Sequence, residues 1–309
     1  MKNNFLFIIL LLSFLSCTQS KKNDAETKTN IETDLKAKID SITNGKNAIV
    51  GVSVKGIDFP FEYNNANANA HLPMLSVFKF HIAAAVLNEV DERKLQLEQI
   101  IDIKKSELLE NTHSPLRDEF PNGTKMPISE IIRYTVAQSD NNGCDILLRL
   151  IGGTETVQEF MNSKEVKDFQ IKYNEEWMHK GAEYLYPNYT STKSLTQLLI
   201  DFNNGKILSK ESTNFLMKVM LETSTGTNKL KEQLPKGTPI AHKTGASGKN
   251  GKLTVAENDA GIITLSNEKK YAISVFVKDS QESDETNCKM ISDISKTVWD
   301  FLNETKLHK

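Results

Sequence analysis

The apolar positions change rhythm several times along the chain. Ile31, Leu35, Ile39 and Ile42 recur every three or four residues, which predicts an amphipathic first helix. Val50, Val52 and Val54 then alternate, as do Phe59, Phe61 and Tyr63, with Gly56 and Asp58 between the two runs. A period of two broken by turn residues predicts a β-hairpin with one buried face. Residues 64–70 are an Asn/Ala connector, and from Pro73 to about Leu221 the spacing is mostly helical. Val77, Phe80, Ala84 and Leu87 mark one stripe. Ile131, Ile132 and Val136 mark a second. Ile146, Leu147 and Leu150 mark a third, closed by Gly152 and Gly153. Leu195, Leu198, Leu199 and Phe202 mark a fourth. Three β-like runs follow at 239–245, 260–265 and 271–277, with a turn at 267–270 between the last two. Ile291, Ile294, Val298 and Phe301 share one face of a closing helix.

This order predicts an α+β fold. Five strands form one antiparallel sheet, the terminal helices cover one face, and an all-helical insert covers the other. The expected division is an α/β domain of 31–72 plus 222–309 and a helical domain of 73–221. The active site is expected in the cleft between them, where ligand sites of layered folds collect.

The first thirty residues stand apart. Lys2 is followed by an almost unbroken apolar run over 5–15 and then Ser16–Cys17, the pattern of an export signal over 1–17. The run is short of the ~20 apolar residues that cross a bilayer. Cys17 stands where a lipoprotein signal places its lipid-bearing cysteine, although Phe14 is an unusual start to the tripeptide before it. A plainly cleaved signal is the alternative. Residues 18–30 are polar, Lys-rich and aperiodic, which suits a flexible tether. Either reading puts the protein outside the cytoplasm, in the periplasm, with membrane attachment only through Cys17.

Composition narrows the chemistry. The 38 basic and 40 acidic residues nearly cancel, and no basic stripe suggests a nucleic-acid partner. Beyond the signal only Cys144 and Cys288 remain. An oxidising compartment would let them pair, but sequence separation says nothing about proximity. Cys144 lies within a helical apolar pattern, which reads as a free buried thiol. The 6 histidines (His71, His81, His113, His179, His242 and His308) form no HxH or HExxH pair, and no CxxC occurs, so neither a metal nor another cofactor is expected.

Three short motifs carry candidate chemistry. In Ser76-Val77-Phe78-Lys79, residues three apart on a helix are neighbours, so the Lys79 amine lies beside the Ser76 hydroxyl. Serine is a poor nucleophile until a base takes its proton, and lysine is a base only when burial or positive charge lowers its pKa. In Ser139-Asp140-Asn141, Ser139 could relay a proton to a leaving nitrogen and Asn141 could bond a substrate amide. In Lys243-Thr244-Gly245, on a strand, Lys243 and Thr244 could hold a carboxylate, while Gly245 would let a substrate approach the backbone. Each motif alone is a common surface pattern.

Together, in this order and at these separations, the three resemble the SxxK, SDN and KTG set of class A β-lactamases and penicillin-binding proteins. The resemblance covers essentially the whole chain after the signal. Asn174-Glu175-Glu176-Trp177-Met178-His179 refines it. Class A enzymes carry a Glu-x-x-Leu-Asn loop, and an extended-spectrum branch of Bacteroides-like bacteria has Glu-x-x-Met-His. That register makes Glu175, and not Glu176, the deacylating acid.

The resemblance implies hydrolysis of β-lactam antibiotics, cephalosporins and penicillins, by a monomeric enzyme that confers resistance. Ser76 would be the nucleophile, with Lys79, Ser139 and Glu175 as the other catalytic groups. The oxyanion hole would come from the N–H groups of Ser76 and Ala246. Ala246 and Ser247 would line the region that tunes the spectrum. His113-Ser114-Pro115 resembles the family's aromatic-Ser-Pro element, with histidine replacing the usual aromatic wall. Lys229 occupies the place of an arginine that helps bind the substrate carboxylate in this branch, and a lysine loses the bidentate fork. Alternative readings are a penicillin-binding DD-peptidase, which would lack the Glu175 loop, a β-lactam sensor, which would acylate and stay acylated, and a non-catalytic lipoprotein binding module.

Overall fold

The computed structural model describes residues 33–305. The segments read above as an export signal and a tether, with Cys17, Ile31 and His308, lie outside the described residues. Residues 33–43 are helical, with Leu35 and Ile39 buried and Asp34 paired to Lys38 at 2.8 Å. From Gly45 onward the chain is one compact unit.

The hairpin rhythm produces Ile49–Gly56 and Glu62–Asn64, and the late β-rich segment produces Ile240–Ala246, Leu253–Thr264 and Lys270–Ser280. These form one antiparallel sheet in the order Glu62–Asn64, Ile49–Gly56, Lys270–Ser280, Leu253–Thr264, Ile240–Ala246. A sixth two-residue strand, Lys249–Asn250, pairs with Leu253–Thr264 and closes a tight hairpin beyond Ala246. The Leu253–Thr264 strand starts seven residues before the expected 260, through Glu257, Asn258 and Asp259, all of them buried. Tertiary pairing overrides the poor strand propensity of these polar residues.

The closing helix Asp284–Glu304 packs on the two central strands, burying Ile291, Ile294, Val298 and Phe301. On the sheet's other side the Thr192–Asn203 helix packs across Ile49–Gly56 and Lys270–Ser280. The helical segment is built around Phe78–Asp91, whose first ten residues are all buried, with Ile128–Ala137, Asn141–Ile151, Thr154–Ser163 and Lys210–Leu221 about it. Its core continues into Ala260, Ile262 and Phe276 of the sheet. Gly152, left-handed at φ 94, ends the Asn141–Ile151 helix. The segment is not purely helical. Ile100–Lys104 pairs with Gly123–Pro127, and Leu72–Pro73, Tyr189–Thr190 and Phe169–Gln170 form a small ladder. Cys144 and Cys288 are both buried and unbonded to each other.

Candidate active site

Ser76 sits in the one-turn 3-10 segment Leu75–Val77 that leads directly into the Phe78–Asp91 helix. Leu75 is left-handed at φ 47, a conformation that costs a non-glycine residue about 1–3 kcal/mol and persists only where the surroundings impose it. They do so here, because buried Asn258 donates from Nδ2 to Pro73 O at 2.7 Å and to Met74 O at 3.1 Å.

Lys79 follows within the first turn of the helix and is 0% exposed. Its Nζ donates to Ser76 Oγ at 3.0 Å and to Ser139 O at 2.8 Å, bonds Asn141 Oδ1, and pairs with Glu175 Oε1 at 2.9 Å. The amine thus donates to three oxygens, and Glu175 Oε1 stands beside it as an ion-pair partner that receives no hydrogen bond among the described residues.

Ser139 is also left-handed, at φ 61. The next residue explains how that turn is held. Asp140 is fully buried and accepts from Ser114 Oγ, from Leu116 N at 2.7 Å and from Gly143 N at 2.7 Å. It thereby caps the Asn141–Ile151 helix and ties down the His113-Ser114-Pro115 loop. His113 itself is exposed, its ring 2.9 Å from Gln138 O. Lys243 reaches Ser139 from the other side, with Nζ 2.9 Å from Ser139 Oγ. Burial, with the positive charges of Lys79 and Lys229 nearby, pulls the Lys243 amine well below the ordinary lysine range.

Glu175 is 5% exposed and opens the short helix Glu175–Met178. Asp145 fixes its backbone by accepting from Glu175 N at 2.8 Å, Glu176 N at 2.9 Å and Asn174 Nδ2 at 3.1 Å. Burial raises the Asp145 carboxyl to about 6, against the pull of those donors. Asn188, fully buried, clasps the loop's entry through Lys172 N, Tyr173 N and Tyr173 O. Glu176 points elsewhere and is exposed.

Ile240–Ala246 is an edge strand, and the nucleophile turn packs against it. Ser247 N bonds Ala256 O at 3.0 Å, toward the neighbouring strand. N–H groups alternate in direction along an antiparallel ladder, so the Ala246 N–H faces the free edge, where Ser76 lies. Gly245 makes that approach possible. A Cβ there would come within 2.5 Å of Met74 O and 3.2 Å of Ser76 N. The space left by its missing side chain is filled by the nucleophile turn, which revises the expectation that it serves the substrate directly. Thr244 Oγ1 lies 2.7 Å from Thr225 Oγ1. The Ser247 hydroxyl is turned into its own hairpin, donating to Gly248 O at 2.7 Å.

Lys229 is buried and stands off from the pocket. Its amine pairs with Glu257 and donates to Gly245 O at 3.3 Å and Asn258 O at 3.2 Å, which accounts for all three of its protons. Burial raises the Glu257 carboxyl. No proton of Lys229 is left for a substrate carboxylate.

Ser76, Asn141, Glu175, His113, Ala246 and Ser247 line one pocket of about 420 Å³, together with Met178 and His179. It offers a half-buried nucleophile with an amine at bonding distance and, against that amine, an acid and the serine of a proton relay, the constellation of acyl transfer followed by hydrolysis. Sequence reasoning missed the residues that hold this set: Thr112, Asp140, Asp145, Asn188, Thr225, Glu257 and Asn258. The available signal was an acid or amide inside an apolar stretch, such as Asp145 between Cys144 and Ile146.

Comparison with known proteins agrees with this geometry. Residues 34–302 match the model of the β-lactamase enzyme family. The chain is 48% identical over 280 residues to β-lactamase VEB-1 of Pseudomonas aeruginosa, covering 88% of this chain and 92% of that one. The crystal structure of TLA-1 extended-spectrum β-lactamase superposes with a TM-score of 0.85 at 47% identity, covering 87% of this chain and 98% of that one. A representative of class A β-lactamase from Bacteroides cellulosilyticus DSM 14838 gives 0.84 at 39% identity, with 89% and 99% covered.

Proposed function

The chain belongs to the β-lactamase enzyme family, and we propose that it hydrolyses β-lactams in two steps through an ester on Ser76. The observation that carries the reading is the run Ser76 Oγ, Lys79 Nζ, Glu175 Oε1, with contacts of 3.0 and 2.9 Å. It places an acid two contacts from the nucleophile, where an acyl group would have to be cleaved.

In the first step Ser76 Oγ attacks the lactam carbonyl. Lys79 faces Oγ as a donor, so it becomes the base only after passing a proton to Glu175, one contact away. Alternatively Glu175 takes the serine proton through a water. The carbonyl oxygen, gaining charge, is received by the N–H groups of Ser76 and Ala246. One such donor is worth roughly 10²–10³ in rate. The C–N bond then breaks, and the nitrogen takes its proton from Ser139, which is resupplied from Lys243 at 2.9 Å. Before the second step the proton left on Glu175 passes back through Lys79 and the Ser139 side of the site to Lys243, which gave one up, so the carboxylate is restored. Glu175 then takes a proton from water, the resulting hydroxide attacks the ester, and Glu175 hands that proton to Ser76 Oγ as it leaves. General-base assistance of this kind is worth about 10²–10⁴. Destroying the drug this way is how such an enzyme confers antibiotic resistance.

The finer reading is that cephalosporins and penicillins are both substrates and that the enzyme acts as a monomer in the periplasm. The pattern over 1–17 supports export, with Cys17 as the point of any lipid attachment. A chromogenic cephalosporin assay tests the core of this. The purified chain should turn over many equivalents, Ser76→Ala should not react, and Glu175→Gln should react once and stall as an ester visible by intact mass. A single stoichiometric burst from the unaltered chain would instead make it a penicillin-binding protein or sensor.

A further inference from the structure

Thr112 has no part in the expected machinery, yet it stands between two sides of the pocket. Its Oγ1 lies 2.6 Å from Asn141 Nδ2 and 3.0 Å from His179 Nε2. On the far side His179 Nδ1 is 2.7 Å from the Glu175 carbonyl. Chemistry fixes the direction of each bond. A carbonyl only accepts, so His179 Nδ1 carries the proton, and in the neutral ring Nε2 is the acceptor. The Thr112 hydroxyl must therefore donate to it. Asn141 Oδ1 faces the Lys79 amine, so its Nδ2 is the donor to Thr112. The result is one directed chain from Lys79 through Asn141, Thr112 and His179 to the Glu175 backbone. The ion pair of Lys79 with the Glu175 side chain at 2.9 Å closes it into a ring.

We propose that Thr112 is a positioning residue that latches the Asn141 side of the pocket to the loop carrying Glu175. The hydroxyl is the one group in the ring that accepts and donates through a single atom, which is how it joins an amide N–H to a ring nitrogen. Networks of this kind couple their members more strongly than pairs do. A shift of the Asn141 amide on substrate binding is thereby transmitted to the acid that directs water. The inference rests on the two-step reading above and concerns its second step.

The test compares Thr112→Val, Thr112→Ser and His179→Phe in the full chain, with a chromogenic cephalosporin as probe. Valine keeps the shape and removes the hydroxyl. We expect Thr112→Val to lower kcat about tenfold, with acyl-enzyme accumulating by intact mass and the acylation rate changed less than threefold. Thr112→Ser should restore kcat to within twofold. His179→Phe cuts the same ring at its next member, so adding it to Thr112→Val should cost little more. Unchanged kcat in Thr112→Val, a rise in KM alone, failure of serine to rescue, or fully multiplicative losses would each overturn the proposal. If the unaltered chain itself stalls after one turnover, the two-step reading fails first, and that outcome is recognisable before any variant is made.

Discussion

His81 gives the sharpest quantitative handle on this fold. It lies two residues after Lys79, is fully buried, and stacks on Phe169 with ring centroids 4.7 Å apart. Burial lowers its pKa to about 3, against a value near 6.5 when exposed. The folded chain therefore keeps this ring neutral while the unfolded chain protonates it as pH falls below about 6.5. A base with a depressed folded pKa contributes no penalty above 6.5, and stability is lost progressively between 6.5 and 3. At pH 5 the loss is about 1.5 pKa units at 1.36 kcal/mol each, or roughly 2 kcal/mol relative to pH 8. His81→Phe abolishes the titration and keeps an aromatic ring against Phe169. The larger ring has a packing cost of order 1–3 kcal/mol, which is the same at both pH values. The quantity to measure is the change, from pH 8 to pH 5, in the stability difference between variant and parent. Urea unfolding followed by fluorescence of Trp177 and Trp299 supplies it, and all other titrating groups cancel. A shift of about 2 kcal/mol in favour of the variant is expected. Parallel losses in the two proteins would refute the reasoning.

Four further outcomes follow from the site. Gly245→Ala should lower kcat at least 10²-fold, because its Cβ would drive the edge strand off the nucleophile turn and part the two N–H donors; near-normal steady-state turnover would count against that geometry. Lys229→Met should leave KM for a cephalosporin within threefold while destabilising the fold by about 3 kcal/mol, since it strands the buried Glu257. A tenfold rise in KM, measured beside a thermal melt, would show that Lys229 binds the substrate after all. Asp145 has the opposite sign to His81. Its carboxyl is raised to about 6, so the folded state favours the protonated form, and that contribution is lost as pH rises through 6. Asp145→Asn should gain on the parent in denaturant stability between pH 4 and pH 8, and a difference that stays flat would contradict the burial argument. Glu175→Gln should accumulate acyl-enzyme, and slow turnover without an adduct in the mass spectrum would remove Glu175 from the second step.

The order of elements was legible because it rests on periodicity. Ile49–Gly56 alternates cleanly, and the stripes of Phe78–Asp91 and Thr192–Asn203 keep helical spacing with every marked residue buried. The start of Leu253–Thr264 was not legible. Glu257-Asn258-Asp259 looks like a turn in isolation and becomes strand only because each side chain has a partner elsewhere: Lys229 for Glu257, the Pro73 and Met74 carbonyls for Asn258, and His242 at 2.9 Å for Asp259. The ladder of Leu72–Pro73, Tyr189–Thr190 and Phe169–Gln170 escaped because strands of two residues carry no period at all, and Ile100–Lys104 and Gly123–Pro127 escaped because each buries a single residue. Within the site, reactive groups were readable from motif spacing, whereas their supports were not. Asp140 and Asp145 act through backbone N–H groups, and a sequence does not show which amides a carboxylate will meet.

The open flank of Ile240–Ala246 has a bearing on how the protein behaves in a crowd. The outermost strand of a sheet offers unpaired amides to any extended chain, and this one runs for seven residues. The far border, Glu62–Asn64, is only three residues long and offers little to grip. On the reactive border the Met74–Ser76 backbone lies against Gly245 and occupies the place a foreign strand would take. The segment that delivers the nucleophile is thus also a guard against polymerisation. Loosening it to admit larger drugs would expose sticky backbone, so breadth of substrate and solubility draw on the same few ångströms.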